Sequence, residues 1–419
     1  MGAQSDGRRF YGWRIVGAAF VLAVFGWGLG FYGPPIYLHA VREARGWPVA
    51  LVSGAVTAHF LVGALVIANL PALYRRFGVP IVTRTGAITL GFGIAGWAAA
   101  EEPYQLFVAA LFSGAGWVAM GAAAVNAIIA PWFVRARPAA LAMAYNGASI
   151  GGVVFSPLWV AAITRLGFPV ASAVIGVATA IVVWVLADLF FSKMPEQLGL
   201  TPDGDATGPP ESSVTFPTKR PLPGSSLWRN SRFLTLSAGM ALGLFAQIGL
   251  LAHLFSLLVP ALGAQAAGVA MGGATAAAIA GRTVVAWLMP VGADRRLIAC
   301  GSYLVQIAGS ITLVIAGGTS VPLLLAGTLL FGVGIGNATS LPPLIAQVEF
   351  AKDDVPRVVP LIIAIAQASY AFAPAAFGLI RQFALQAAAA SGGAAACVFV
   401  AAALVQALAV SAFLVGRGR

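Results

Sequence analysis

Long apolar runs dominate this sequence of 419 residues, and short stretches that carry charge, proline or glycine separate them. A helix needs roughly 20 mostly apolar residues to cross the hydrocarbon core of a bilayer. Twelve runs meet this requirement, and we number them as spans 1 to 12. Their expected limits are Trp13–Leu38, Val49–Leu73, Val79–Ala100, Tyr104–Ala130, Ala139–Thr164, Phe168–Phe191, Phe233–Val259, Ala266–Pro290, Arg296–Ala316, Val321–Ala346, Pro356–Ile380 and Gly393–Val415. The sequence therefore predicts an all-α membrane protein with twelve transmembrane helices.

The composition excludes most other classes of protein. Apolar residues make up 60% of the chain and charged residues only 9%, whereas a soluble globular protein carries about 25% charged residues. A soluble enzyme, a nucleic-acid-binding domain and a disordered chain are therefore excluded. The chain has two cysteines and three histidines, and His, Asp and Glu do not cluster at membrane depth. We therefore expect no metal, no other cofactor and no enzymatic activity.

Basic residues are distributed unevenly between the two ends of the predicted spans. Nineteen Lys and Arg residues lie at the end that carries both chain termini, and four lie at the opposite end. The four are Arg42, Arg45, Arg165 and Arg381. Because cytoplasmic loops are rich in Lys and Arg, both termini are predicted to be cytoplasmic, in a plasma membrane that we take to be a bacterial inner membrane. The same bias accounts for the net charge of +11, and no nucleic-acid partner is expected.

One polar segment divides the chain into two sets of six spans. Residues 192–230 are rich in Pro, Gly and Ser and carry mixed charge, which is typical of a linker. We therefore predict an N-terminal six-helix half (1–191), a cytoplasmic linker (192–230) and a C-terminal six-helix half (231–419).

The two halves also show a weak internal repeat. The matching positions are Phe133 and Phe350, Pro157 and Pro374, and the pairs Gly114-x-Gly116 and Gly332-x-Gly334. The first two matches share an offset of 217 residues, and the glycine pairs lie in spans 4 and 10. Tandem repeats are typical of transporters that rock two halves around a site near the middle of the membrane.

This arrangement resembles the major facilitator superfamily, which carries an Asp-Arg turn and a downstream basic residue after its second span. Here the stretch reads Leu73-Tyr74-Arg75-Arg76-Phe77-Gly78, followed by Arg84. Arg75 stands where the resemblance implies an acid, so the usual cytoplasmic charge lock is not expected in this half. After span 8, Asp294-Arg295-Arg296 keeps the acid. Asp294 is expected to act in gating or in a salt bridge at a helix end.

Several segments resemble the monocarboxylate porters and the oxalate:formate antiporters within that superfamily. They are Tyr11-Gly12-Trp13-Arg14, Arg45-Gly46-Trp47, Trp132-Phe133 with Arg135 and Arg137, Gly281-Arg282, and Gln367-Ala368-Ser369-Tyr370. The resemblance implies a carrier of small carboxylates in which Arg282 binds the carboxylate. Spans 1 and 11 lack the lysines of that branch, and Ala278 stands where many members carry an acid. One buried cation suits a monovalent anion better than a dicarboxylate.

Arg282 is the basic residue predicted to lie within a span, on the order of 12 Å into the membrane by helix rise. Such a charge costs roughly 2.5–3.5 kcal/mol on insertion scales, and arginine cannot shed its proton. Asp188, near the end of span 6, is the acidic residue predicted within a span. We therefore expect Arg282 to face an aqueous cavity and to bind an anion. In the alternative, its side chain reaches the membrane interface or bonds backbone carbonyls.

Further residues at membrane depth are candidates for contact with the same substrate. The polar candidates are Tyr145, Asn146, Asn126, Asn337, Gln367 and Tyr370, and Phe31 is a candidate for the apolar wall. His253 in span 7 is either a packing histidine or a contact for substrate or proton, since imidazole titrates near neutrality. His59 in span 2 is expected to pack. Hydrogen bonding between helices is the common alternative for all the polar candidates.

These observations predict a secondary active transporter that moves a small organic anion, a monocarboxylate, by alternating access as a symporter or antiporter. The expected partners are that anion, the lipid bilayer and a co-transported proton or counter-anion, and the resemblance implies a monomer. The alternative is a carrier of the same fold for a drug-like molecule or an inorganic anion. A channel is a rival of another class, which counterflow distinguishes from a carrier. No phosphate-binding loop is present, so ATP is not expected to drive transport.

Overall fold

The computed structural model describes residues 10–204, 227–290, 292–351, 353–387 and 394–417, and in these ranges every regular element is helical. Positions 205–226 of the predicted linker lie outside the described residues. The spans comprise Gly12–Gly30 with Pro34–Arg45 (span 1), Val49–Phe77 (2), Val79–Ala99 (3), Pro103–Val118 with Ala122–Ile129 (4), Arg137–Leu186 (5 and 6), Ser231–Leu262 (7), Ala264–Leu288 (8), Arg295–Ile315 (9), Val321–Glu349 (10), Val355–Ala371 with Ala373–Ala387 (11) and Ala394–Val415 (12).

Spans 5 and 6 form one helical segment that contains a reversal. The segment has 50 residues, about 75 Å at 1.5 Å per residue, more than twice the thickness of a hydrocarbon core. Gly167 interrupts it with φ 74° and ψ 158°, a conformation that favours glycine, and Pro169 follows. By length and apolarity, eleven helical segments of the described chain could cross a membrane, and one of them, Arg137–Phe191, holds two spans. The prediction of twelve transmembrane helices in two six-helix halves is confirmed.

Glycines at equivalent positions of spans 4 and 10 make equivalent contacts in the two halves. A Cβ at Gly114 would overlap the His59 carbonyl of span 2, and a Cβ at Gly332 would overlap the Ala274 carbonyl of span 8. The second glycine of each pair contacts the third helix of its half in the same way. Small residues let transmembrane helices approach closely. The weak sequence repeat therefore corresponds to a repeat in helix packing.

Enlarging either first glycine should destabilise the bundle. We expect Gly114→Ala and Gly332→Ala each to cost about 1–3 kcal/mol, because the added methyl group overlaps a backbone carbonyl that cannot move aside. Gly301 is a matched control, since a Cβ there has no neighbour within 4 Å. Gly301→Ala should leave stability unchanged or raise it by up to about 1 kcal/mol. The measurement is the fraction of monodisperse protein that survives heating in detergent, and equal losses in all three variants would contradict this packing account.

The two halves contact each other mainly through spans 5 and 8, spans 2 and 11, and spans 1 and 7. Along spans 5 and 8, contacts begin at the end away from the chain termini, where Gly268 faces Ser156. They continue to Arg282, which meets Ser149. The contacts of these two spans across the boundary therefore start at the end away from the chain termini and extend to the level of Arg282.

Spans 1, 4 and 11 are interrupted near the middle of the bundle. Lipid offers no partner for a backbone group that an interruption frees, so the protein itself must satisfy it. At span 1, His59 Nε2 lies 2.9 Å from the Gly30 carbonyl oxygen. At span 11, the backbone N–H of Ala375 donates to Thr57 Oγ1 of span 2 at 3.0 Å. Broken helices of this kind are typical of transporter binding sites.

Candidate substrate site

Arg282 lies on span 8, six residues before the last residue of the helix, Leu288, and hence about 9 Å from its end. Its Nη2 donates a hydrogen bond of 3.3 Å to the Ser149 hydroxyl of span 5, across the boundary between the halves. Its Cβ packs beside Gly336 of span 10, where an added Cβ would approach it to 3.0 Å. The guanidinium is therefore directed between the halves and not toward lipid.

The charge of Arg282 has no acidic partner in the described part of the chain. The ion pairs there involve other arginines and one histidine. A guanidinium has five N–H donors, and the neutral Ser149 hydroxyl takes up one of them. A planar fork of free donors matches the two oxygens of a carboxylate. The geometry is that of a site able to bind one anion.

Tyr32 of span 1 completes the immediate surroundings of Arg282. Its ring lies beside Thr275, two helical turns before Arg282 on span 8, and its hydroxyl is close enough to the guanidinium to interact electrostatically. Gly152 of span 5 makes room for this contact, because a Cβ there would lie 2.7 Å from both Thr275 and Tyr32. Tyr32 sits in the interruption of span 1. Spans 1, 5 and 8 thus meet around one cation.

Two predicted residues of the N-terminal half, Asn126 and Tyr145, hydrogen-bond to each other. The Tyr145 hydroxyl also donates to the Ala122 carbonyl oxygen at 3.1 Å. Asn146 is exposed and lies one helical turn from Ser149, on the same face of span 5. Tyr145 and Asn146 therefore extend the polar face that starts at Ser149 toward the chain termini.

Among the remaining predicted residues, the aromatic side chains of Phe31 and Tyr370 both contact Phe60. Phe31 and Tyr370, from opposite halves, each place a ring centroid 6.1 Å from that of Phe60. Asn337 on span 10 is buried, and Gln367 on span 11 is half-buried. Neither amide hydrogen-bonds to a described residue, so both keep donors and acceptors for other partners. Phe31 and Tyr370 form part of an apolar wall between the halves.

The structure does not bring His253 to Arg282. His253 is completely buried in span 7, nearer the opposite end of the bundle, where its Nε2 faces the Pro374 carbonyl. Its Nδ1 has no hydrogen-bond partner among the described residues. His59 has both ring nitrogens engaged, with the Gly30 carbonyl and with Ser113 Oγ at 2.8 Å. The bonding of His59 is that of a packing histidine.

The motif residues between spans 2 and 3 are mostly at the surface. Arg75 and Arg76 are exposed. Arg84 forms an ion pair with Asp188 of span 6 and lies 5.0 Å from the centre of the Trp184 ring. The ion pair joins spans of one half, so in this conformation it does not lock the two halves together.

The matching motif of the C-terminal half forms a salt bridge at a helix end. Asp294 caps span 9 by accepting the backbone N–H of Arg296 at 2.9 Å, and it pairs with Arg417 at 2.7 Å. Slight burial opposes ionisation, but the hydrogen bond from Arg417 and the backbone donors outweigh it and lower the pKa of Asp294. Arg295 donates to the Leu344 carbonyl oxygen of span 10 at 2.6 Å.

The first residues of the predicted linker are anchored to the connection between spans 4 and 5. Asp203 accepts the backbone N–H groups of Val134, Arg135 and Ala136 at 2.8–3.1 Å. Slight burial would raise the pKa of Asp203, but these backbone donors and the Arg135 charge lower it below its usual value. The anchor therefore persists at neutral pH and weakens only when acid protonates the carboxylate.

The sequence did not single out several residues that shape these sites. They are Ser149, Tyr32, the buried Arg381, and the ion pair of Arg296 with Glu349. Ser149 shares a helical face with Asn146, a signal that could have been used. The ion pair joins residues 53 positions apart, and no sequence pattern marks it.

Comparison with known proteins agrees with this architecture. The family model of the Major Facilitator Superfamily matches residues 18–374. The chain belongs to this superfamily. A curated relative, MFS-type transporter 1 of Ophiocordyceps sp. (strain BCC 1869), is 27% identical over 166 residues, which cover 38% of this chain and 36% of that relative.

Solved structures of superfamily transporters share the fold over nearly the whole chain. The nucleoside transporter NupG matches with a TM-score of 0.69 at 12% identity, over 97% of this chain and 99% of that one. A bacterial homologue of the human lysosomal transporter Spinster, in an inward-facing and occupied conformation, matches with a TM-score of 0.68 at 14% identity, over 98% and 97%. At such identities the likeness concerns the fold alone. The chain is a multi-pass membrane protein of this superfamily.

Proposed function

We propose that this superfamily member is a secondary active transporter of a small organic anion, a monocarboxylate, and that the anion binds Arg282 between the two halves. The observation that carries the proposal is the guanidinium itself, which is directed between the halves and bonded only to a neutral hydroxyl among the described residues. A permanent charge at this depth is costly without a partner. A bound anion supplies that partner in each transport cycle.

The immediate surroundings of Arg282 favour a monovalent anion. The hydroxyls of Ser149 and Tyr32 are neutral groups that can orient a carboxylate or a hydroxyl on the cargo. The two other buried arginines of the described chain, Arg296 and Arg381, bond to groups of other spans. One guanidinium balances one negative charge.

Transport would follow from alternation of the two halves around this site. Arg282 and Thr275 belong to one half, and Ser149 and Tyr32 to the other, so cargo bound among them contacts both. The bias in basic residues supports a cytoplasmic location for both chain termini. We further propose that the protein acts as a monomer in a bacterial inner membrane. In the proposed cycle, one state of the carrier opens to the cytoplasm on the side of the chain termini. The coupling partner is a proton or a counter-anion.

Counterflow in proteoliposomes tests this function. Vesicles preloaded with unlabelled lactate, formate or a larger monocarboxylate should accumulate the labelled anion above equilibrium, because a carrier exchanges cargo one for one. Oxalate should exchange more slowly, and a neutral nucleoside should not exchange. Counterflow of a drug-like molecule or an inorganic anion, without any carboxylate, would replace the proposed substrate with another. Fluxes insensitive to preloading would indicate a channel.

A further inference from the structure

A second group of basic side chains lies at the closed end of the bundle, away from the chain termini. Arg42 lies in the last turn of span 1, Arg381 lies on span 11, and His253 lies on span 7. Arg42 belongs to one half, and the other two belong to the opposite half. The helix that carries Arg42, Pro34–Arg45, packs against span 7, and Arg381 donates to Ser256 of the same span. The charges of Arg42 and Arg381 are therefore near each other and near His253. The group therefore spans the boundary between the halves.

Arg381 and His253 are buried, Arg42 is half-buried, and the two arginines leave hydrogen-bond donors unused within the described chain. Arg381 is 8% exposed, and its Nη1 donates to the Ser256 hydroxyl at 2.6 Å. The Nε of Arg42 is buried without a partner among the described residues. His253 is fully buried, and because its Nε2 donates to the Pro374 carbonyl oxygen, its Nδ1, which also lacks a partner there, is an acceptor and offers no donor to an anion. Buried polar groups are nearly always hydrogen-bonded, so the unused N–H donors of Arg42 and Arg381, one residue from each half, indicate a missing ligand.

The charge of the two arginines is also uncompensated. Glu43, the residue after Arg42, is exposed and pairs with His39 at 3.4 Å. No ion pair of the described residues includes Arg42 or Arg381. Two positive charges from opposite halves repel each other when the halves close. A small anion between them would turn that repulsion into attraction and would use the free donors.

We propose that the closed end of this transporter holds a second anion site, in which Arg42 and Arg381 of the two halves together bind one small monovalent anion. That anion is a carboxylate or a halide. The anion binds when this end is closed and is released when the halves separate. The site is distinct from that of Arg282, which lies on span 8 about 27 Å of helix from the same end. It stands whether or not Arg282 binds the cargo.

The distance between the halves at this end is the quantity to measure. Spin labels at Glu101→Cys and Gln386→Cys, both exposed positions in opposite halves, report it by electron–electron resonance after Cys300→Ser and Cys397→Ser. The full-length protein is studied in nanodiscs with HEPES as the sole anion, then with added chloride or lactate at constant ionic strength. Either anion should raise the population with the short, closed distance, because a ligand shifts an equilibrium toward the state that it binds more tightly.

Neutralising one arginine gives the distinguishing result. In Arg381→Gln and in Arg42→Gln the repulsion is gone, so the end should close without added anion, and the anion response should fall by at least about fivefold. Arg165→Gln, at an exposed arginine of the same end, should keep the full response. Arg282→Gln should keep the response to chloride, which separates this site from the proposed cargo site.

Each outcome decides for or against the second site. If chloride raises the closed population, an inorganic anion is sufficient to fill the site. If only lactate raises it, the site binds the cargo as the cargo passes this end. The proposal is overturned if neither anion changes the distance in the spin-labelled protein that keeps Arg42 and Arg381. It is overturned as well if the response to anion persists undiminished in both Arg42→Gln and Arg381→Gln. It is also overturned if Arg282→Gln abolishes the chloride response while Arg381→Gln preserves it.

Discussion

Arg282→Gln is expected to weaken carboxylate binding by about 10- to 150-fold, with a corresponding rise in KM for uptake. The estimate follows from the value of a hydrogen bond to a charged group, about 1.5–3 kcal/mol, at 1.36 kcal/mol per tenfold change. Glutamine retains an amide donor but carries no charge. The measurement is the initial rate of labelled lactate uptake into proteoliposomes as a function of concentration.

Two further variants separate charge from shape at this position. Arg282→Lys keeps the charge and loses the planar fork, so its KM should fall between those of the parent protein and Arg282→Gln. Ser149→Ala removes the neutral partner of the guanidinium and should change KM by less than about tenfold. Uptake by Arg282→Gln with unchanged KM and rate would remove Arg282 from the substrate site.

Glu349→Gln is expected to lower the free energy of unfolding by about 3–5 kcal/mol, the usual cost of leaving a buried charge without its partner. Glu349, at the end of span 10, accepts two hydrogen bonds from Arg296, at 2.6 Å from Nε and 2.8 Å from Nη2. Arg296 is 1% exposed and also donates to the Arg232 carbonyl oxygen of span 7. The pair therefore joins three spans at one end of the C-terminal half. Reversible unfolding in mixed micelles, followed by tryptophan fluorescence, measures the loss.

An exposed ion pair in the same half provides the control. Asp294 and Arg417 are each about 40% exposed in their side chains, and removing Arg417 in Arg417→Gln should cost about 1 kcal/mol or less. The double variant Arg296→Met with Glu349→Leu removes both buried charges and should recover much of the stability lost in Glu349→Gln. Equal small losses in Glu349→Gln and Arg417→Gln would mean that the buried pair contributes little.

The spans and the division into halves could be predicted from the sequence because lipid imposes them locally. A run of about 20 apolar residues such as Val79–Ala99 can satisfy its backbone groups in lipid only as a helix. Gly114 and Gly332 stand out for a related reason, since close helix packing requires small residues at fixed places in each repeat. The helical spans and the small packing residues are determined by nearby residues in the chain and by the bilayer, so the sequence alone reveals them.

The partners of the charged residues could not be predicted in the same way. Arg282 and Ser149 are 133 positions apart, and Arg296 and Glu349 are 53 positions apart. Their meeting depends on helix rotation and depth, which hydropathy does not specify. Arg381 was assigned to a loop from its place near the end of an apolar run, whereas span 11 extends to Ala387 and buries it. The depth of Arg282, by contrast, was apparent because its charge interrupts an apolar run.

The central claim is that the negative charge of the cargo binds the guanidinium of Arg282. The most direct test compares the affinity for lactate with that for lactamide, its neutral amide, in the parent protein and in Arg282→Gln by isothermal titration calorimetry. The account predicts that the parent protein prefers lactate by at least about tenfold and that Arg282→Gln binds both compounds with similar affinity. An undiminished preference for lactate in Arg282→Gln would contradict the account, because another group would then carry the recognition of charge.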